Sequence, residues 1–171
     1  MTFPFDLSAS VAAIAALEDA ITTPSPGVVT AYGFGANPAE ITNPALLPAV
    51  VHLSLGPATV GGEADTPGRL TFARHRLRFD VASIMLVAEA VPDAYPADEQ
   101  AGSLFWKPIC ETFFNKTNIA TLVTASGAAS YACILDDPCY AVRAWPPAPA
   151  EPLHYYYTYR YIHRFTFMES A

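Results

Sequence analysis

LTFARHRLRFDVASIMLVAEA, residues 70–90, is the stretch that sets the fold class. Its residues alternate in character. Leu77, Phe79, Val81, Ser83, Met85 and Val87 share one face, and Arg74, Arg76, Arg78 and Asp80 share the other. A period of two places successive side chains on opposite sides of a strand. After Asp80 the second face turns apolar, at Ala82, Ile84 and Leu86. This predicts a strand that starts half-solvated and ends buried on both faces. The same period governs LHYYYTYRYIHRFTFM, residues 153–168. There Tyr155, Tyr157, Tyr159, Tyr161, His163, Phe165 and Phe167 oppose Tyr156, Thr158, Arg160, Ile162, Arg164 and Thr166. Two long strands of this kind predict a sheet.

Around them the pattern is mixed. Residues 8–22 read as a helix capped by Ser8 or Ser10, with Val11, Ile14, Leu17 and Ile21 in one stripe. Pro24, Pro26 and Gly27 end it, and Glu18 and Asp19 lie unfavourably at the negative end of its dipole. Residues 28–36 read as a short strand, 37–48 as a proline-rich loop, and 49–55 as a strand. In the last, Val51, Leu53 and Leu55 face away from Val50, His52 and Ser54. The stretch 56–69, GPATVGGEADTPGR, reads as a long polar loop. A second helix is predicted within 98–117, its stripe formed by Leu104, Phe105, Pro108, Ile109, Thr112 and Phe113. Pro108 either kinks it or opens a new first turn. Residues 118–130 read as a loop or a weak short element, and 131–145 as a hairpin turning through Asp136, Asp137, Pro138 and Cys139. WPPAPAEP, 145–152, is a stiff connector. The expectation is one α+β domain over 1–171, with a mostly antiparallel sheet and two main helices packed on one face.

The net charge is −7, which argues against a dedicated nucleic-acid binder. Charged residues make up 15%, well below the usual quarter, so part of the surface is expected to lie against other protein. Cys110, Cys133 and Cys139 show no metal-binding spacing and read as reduced thiols; Cys133 and Cys139 flank a turn, the one place where the sequence offers a disulfide as the alternative. MTFPFDLSAS lacks the basic residues of a secretory signal, and Val81–Val91 is too short to cross a bilayer.

Chemistry-bearing constellations are few. Arg69, Arg74, Arg76 and Arg78 crowd into ten positions. They suit acidic groups on a partner subunit or phosphate, or else a solvated sheet face paired with local carboxylates. The aromatic row from Tyr155 to Phe167 suits a core or an interface better than a base-stacking platform. His52, His75, His154 and His163 read as satisfied structural histidines. Asp136 and Asp137 read as turn residues. No nucleophile pattern, phosphate loop or metal set is present, so neither an enzyme nor a cofactor is expected.

Taken together, the layout resembles the tail terminator proteins of long-tailed bacteriophages, also called tail-completion or minor tail proteins. The elements that carry this are an N-terminal helix, a VVTAY strand, LPAVVHLSLG, a glycine loop, RHRLRFDVASIMLVAE, LFWKPICETFF and the closing YYYTYRYIHRFTFMES. The resemblance implies a structural virion protein of the tail and neck, assembled in the host cytoplasm. It implies a hexameric homo-oligomeric ring that caps the tail tube, stops its growth and joins tail to head. Its partners would be the tail-tube protein and head-tail connector proteins, with DNA passing through the lumen unbound. It further implies subunit contacts through sheet edges and loops, placing Arg74, Arg76 and Arg78 at the interface. Gly61, Gly62, Glu63 and Asp65 of the 57–69 loop would join them there. Two alternatives stand beside it: another neck or tail-tube subunit, and a small-molecule-binding α+β protein or enzyme with an aromatic-lined pocket.

Overall fold

The computed structural model describes residues 6–22, 29–32, 48–60, 76–89, 106–136, 140–143 and 155–168. Within them the order is α1 (Leu7–Glu18), β1 (Thr30–Ala31), β2 (Ala49–Val60), β3 (Arg76–Glu89), α2 (Trp106–Phe113), α3 (Lys116–Ser126), β4 (Ser130–Leu135), β5 (Tyr140–Arg143) and β6 (Tyr155–Met168). The class is α+β. The strands form one sheet in the order β1-β2-β3-β6-β4, with β5 also beside β6. Only the β1–β2 pairing is parallel; every other described pairing is antiparallel.

β3 and β6 form the spine. They pair along almost their whole length, from Arg76 opposite Met168 to Glu89 opposite Tyr156. The alternation read from the sequence holds on both. Phe79, Val81, Ser83, Met85 and Val87 are buried on β3, and Tyr159, Tyr161, His163, Phe165 and Phe167 on β6. Directly opposed residues share a face, so these rows meet on one side of the sheet. The helices cover that side with Val11 and Ile14 of α1, Ile109 and Phe113 of α2, and Leu122 of α3. The predicted one-sided helix layer is therefore present. On the other face a smaller cluster joins Ala49, Val51 and Leu86 to Tyr32 and Ile84. This is the two-sided burial expected of β3 after Asp80.

Several expectations are corrected. The cap of α1 is Asp6, whose side chain accepts from the Ala9 amide at 2.9 Å, not Ser8 or Ser10. Asp6 is the residue with extended backbone angles, so its carboxylate reaches the free amides that the two helical serines cannot. Residues 118–130, expected as a loop or a weak short element, mostly belong to α3. Asn115 caps this helix by accepting from the amides of Thr117 and Asn118, and Gly127 ends it at φ 68. That left-handed turn favours glycine. Its apolar stripe is short, which hid it. The predicted helix within 98–117 contributes α2, with Pro108 in its first turn; 98–105 lie outside the described residues.

β2 runs on to Val60, past its expected end at 55. It does so through an irregularity between Ser54 and Pro57, where Gly56 adopts φ 81. A glycine in that conformation is how a bulge absorbs an extra residue and lets pairing resume. The expected 131–145 hairpin does not form. β4 and β5 do not pair with each other. They lie end to end along the same edge of β6, β4 against 161–166 and β5 against 155–158. Asp136 starts a break in one edge strand rather than the reversal of a hairpin. Cys133 is a free thiol, and Cys139 lies outside the described residues.

Candidate functional site

The arginine row is the first candidate. Arg78 Nε stands 3.4 Å from Asp80 Oδ2. The same carboxylate takes a two-pronged grip from Arg164, its cross-strand partner, with Nε to Oδ1 at 3.0 Å and Nη2 to Oδ2 at 2.9 Å. Arg160 reaches Asp136 at 3.3 Å. Arg78 and Arg164 thus share the Asp80 carboxylate on one sheet face. Arg76 begins β3 opposite Val60 and Met168, but its side chain lies outside the described residues. Arg74, Gly61, Gly62, Glu63 and Asp65 lie outside them as well, as do His75 and His154. Of the seven expected interface residues, the structure therefore describes the side chain of Arg78 alone, and places it against its own chain's carboxylate.

The second candidate was not legible in the sequence as a site. It centres on Glu18, the last residue of α1, which has no solvent exposure. His52 Nε2 lies 2.7 Å from Glu18 Oε2, and Tyr161 donates its hydroxyl to Oε1 at 2.7 Å. His163 Nε2 lies 3.7 Å from the same Oε1. His163 is itself bracketed by hydroxyls, Ser83 Oγ at 2.9 Å from Nε2 and Tyr131 Oη at 2.7 Å from Nδ1. Phe113 stands edge-on to the His163 ring at 4.6 Å. His52 Nδ1 meets the carbonyl oxygen of Tyr32.

Strand register assembles this centre. His52 opposes Ser83 and Ser83 opposes Tyr161, so three strands deliver one polar side chain each to a single rung. The next rung brings Val81, His163 and Cys133 together. Helix α1 lowers Glu18 onto both rungs, because Val11, Ile14 and Glu18 recur at helical spacing on its buried side.

The electrostatics follow from burial and pairing. Burial alone would raise the Glu18 pKa, but His163 and His52 outweigh it and hold the carboxyl at about 2. Burial pulls His52 down, yet the hydrogen bond and charge of Glu18 win and raise it above 6.5. For His163 burial wins: its pKa falls below 6.5, and the charge on His52 pushes the same way. The two rings are thus shifted in opposite directions, His52 toward its charged form and His163 toward its neutral one. Burial also pushes the Cys133 thiol up to about 12 and raises Tyr131 and Tyr161, so none of these is an activated nucleophile.

The sequence reads His52 and His163 as satisfied structural histidines without naming the groups that satisfy them. It noted Glu18 only as unfavourable to the helix dipole. His52, shifted toward its charged form, meets Glu18 at the negative end of α1, where a cation offsets that penalty. The available signal was an acidic residue in register with an apolar stripe: four positions after Ile14, on the face that had to be buried.

No helix among the described residues is long and apolar enough to cross a membrane. Among those residues no group of three or more His, Cys, Asp or Glu is arranged to hold a metal ion. Comparison with protein-family models and with curated proteins finds no match to this chain.

Proposed function

We propose that the chain is a structural subunit of a phage tail, of the tail-terminator kind. It forms a ring at the head-proximal end of the tail that stops tube growth and joins tail to head. The observation that carries this reading is the open side of β2. β1 covers β2 only at Ala49 and Val50, and beyond Val50 that edge has no strand partner among the described residues. Leu53 and Leu55, at alternate positions there, are 41% and 45% exposed. An unpaired edge carrying bare leucines is a surface that soluble proteins cover or charge, and a neighbouring copy would cover it in a ring.

Two further features favour an assembly role. Among the described side chains, Arg78 and Arg164 share the Asp80 carboxylate and Arg160 pairs with Asp136, so these three arginines are engaged within the chain. Six copies of a chain with net charge −7 would make an acidic ring, whose lumen repels DNA and lets it slide. The tail-tube protein on one side and connector proteins on the other would be its partners.

Placing glutamates at both leucines tests the reading. The double variant Leu53→Glu, Leu55→Glu should keep its circular-dichroism spectrum and melting temperature while losing assembly in sedimentation velocity. Unchanged assembly would remove the β2 edge from the account. Open-ended tubes formed by the parent chain would make it a tube subunit instead.

A further inference from the structure

We propose that His52 is a pH-operated latch, which fastens the C-terminal end of α1 and the short strand β1 to the sheet while its ring carries both protons and releases them when one is lost. The argument is one of donors and acceptors. His52 presents Nδ1 to the Tyr32 carbonyl oxygen and Nε2 to a Glu18 carboxylate oxygen. An ionised carboxylate and a carbonyl only accept. A neutral imidazole has one N–H, so one of its two contacts would set lone pair against lone pair. The side chain has no solvent exposure, so no water relieves that cost. His163 supplies the internal contrast. Its neighbours Ser83 and Tyr131 are hydroxyls that donate or accept, so the neutral ring satisfies both.

The groups around the latch come from every adjoining element. Glu18 and Asp19 act from α1, the Tyr32 carbonyl from the end of β1, and Ser83 from β3. Tyr161 and His163 act from β6, with Tyr131 and Cys133 of β4 behind them. Of the two described histidines His52 is raised and His163 lowered. What the latch holds is slight by itself. β1 is two residues long, and its Ala31 amide is tied to Asp19 Oδ1 at 2.6 Å, next to Glu18. Opening frees β1 from Ala49 and Val50, which lengthens the bare edge of β2. The latch does not depend on the proposed virion role.

The sign is fixed by linkage. A folded-state pKa above 6.5 gives stabilisation that is complete below 6.5 and lost as pH rises through the folded value. The test uses the whole chain. Long-range ¹⁵N–¹H spectra of the histidine rings, followed through a pH titration, should show His52 keeping two protonated nitrogens to a higher pH than His163. Between pH 6.5 and the folded titration of His52, the folded-to-unfolded ratio from urea melts should fall about tenfold per pH unit. In His52→Gln that decline should vanish. Over the same range, and corrected for intrinsic exchange, the Ala31 and Tyr32 amides should lose protection before those of α3. A His52 that loses its second proton at or below the pH where His163 does overturns the proposal, and so does an unchanged decline in His52→Gln or simultaneous loss of protection in β1 and α3. If the variant does not fold, the spectra of the parent chain decide.

Discussion

Nε2 of His52 stands 2.7 Å from Oε2 of Glu18, and neither side chain is exposed to solvent. The pair joins the end of α1 to β2, residues 34 positions apart in the chain. Buried ion pairs are poor sources of net stability, because desolvation offsets their attraction. Their value lies in register. A slip of β2 by one residue would turn His52 to the other face of the sheet and leave Glu18 buried without its cation.

Removing one partner should therefore cost more than the pair contributes. Glu18→Ala leaves the His52 imidazolium, the Tyr161 hydroxyl and a cavity uncompensated. A loss of about 3–5 kcal/mol is expected from urea melts at pH 7. Glu18→Gln, which keeps an acceptor for Tyr161, should lose less. Equal losses would show that shape rather than charge matters at this position.

Acid should destabilise the fold in two stages. His163 has a folded pKa below 6.5, so its contribution is present above 6.5 and is lost as pH falls toward the folded value. Glu18 contributes above 4.5, and that share is lost as pH falls toward about 2. With His52 acting in the opposite sense above 6.5, stability should peak near neutrality. Melting temperature against pH checks this. A curve flat from pH 7 to pH 4 would contradict it.

The outer-face network should behave quite differently. Asp80→Asn removes the carboxylate that Arg78 and Arg164 share, but both arginines are about one-third exposed. Solvent screening holds the expected loss to about 1 kcal/mol, and it should shrink in high salt. A comparison of parent and variant at 0.05 and 1 M salt reads this directly.

The cap of α3 offers a local test. Asn115 accepts from two amides, at 2.9 and 3.4 Å, and Asn115→Ala should cost about 1 kcal/mol. Faster amide exchange should be confined to the first turn of α3. Exchange spread through β6 would mean that the helix and the spine unfold together.

The spine was legible because period-two alternation over 14 residues admits no other regular structure, and Phe79 to Val87 and Tyr159 to Phe167 fell on the core side. α3 was missed because Leu122 and Ser126 are its only fully buried positions, too few for a stripe. The β4–β5 arrangement was missed because Asp and Pro signal a turn without saying which strand the chain pairs with next. Glu18 was missed for a deeper reason. Its partners lie 34, 143 and 145 residues away, and only β2–β3–β6 register brings them together. The arginine row was visible at once. Its partner Asp80 was in view too, whereas Arg164 required the sheet order.

The measurement that bears most directly on the account is the size and shape of the purified chain. Light scattering coupled to size exclusion, over a range of concentration and salt, with negative-stain images of each peak, supplies both. The account predicts closed rings with a central hole, formed by the free chain at high concentration or on the ends of added tail tubes. A chain that stays monomeric or dimeric at every concentration and leaves tube ends bare would contradict it.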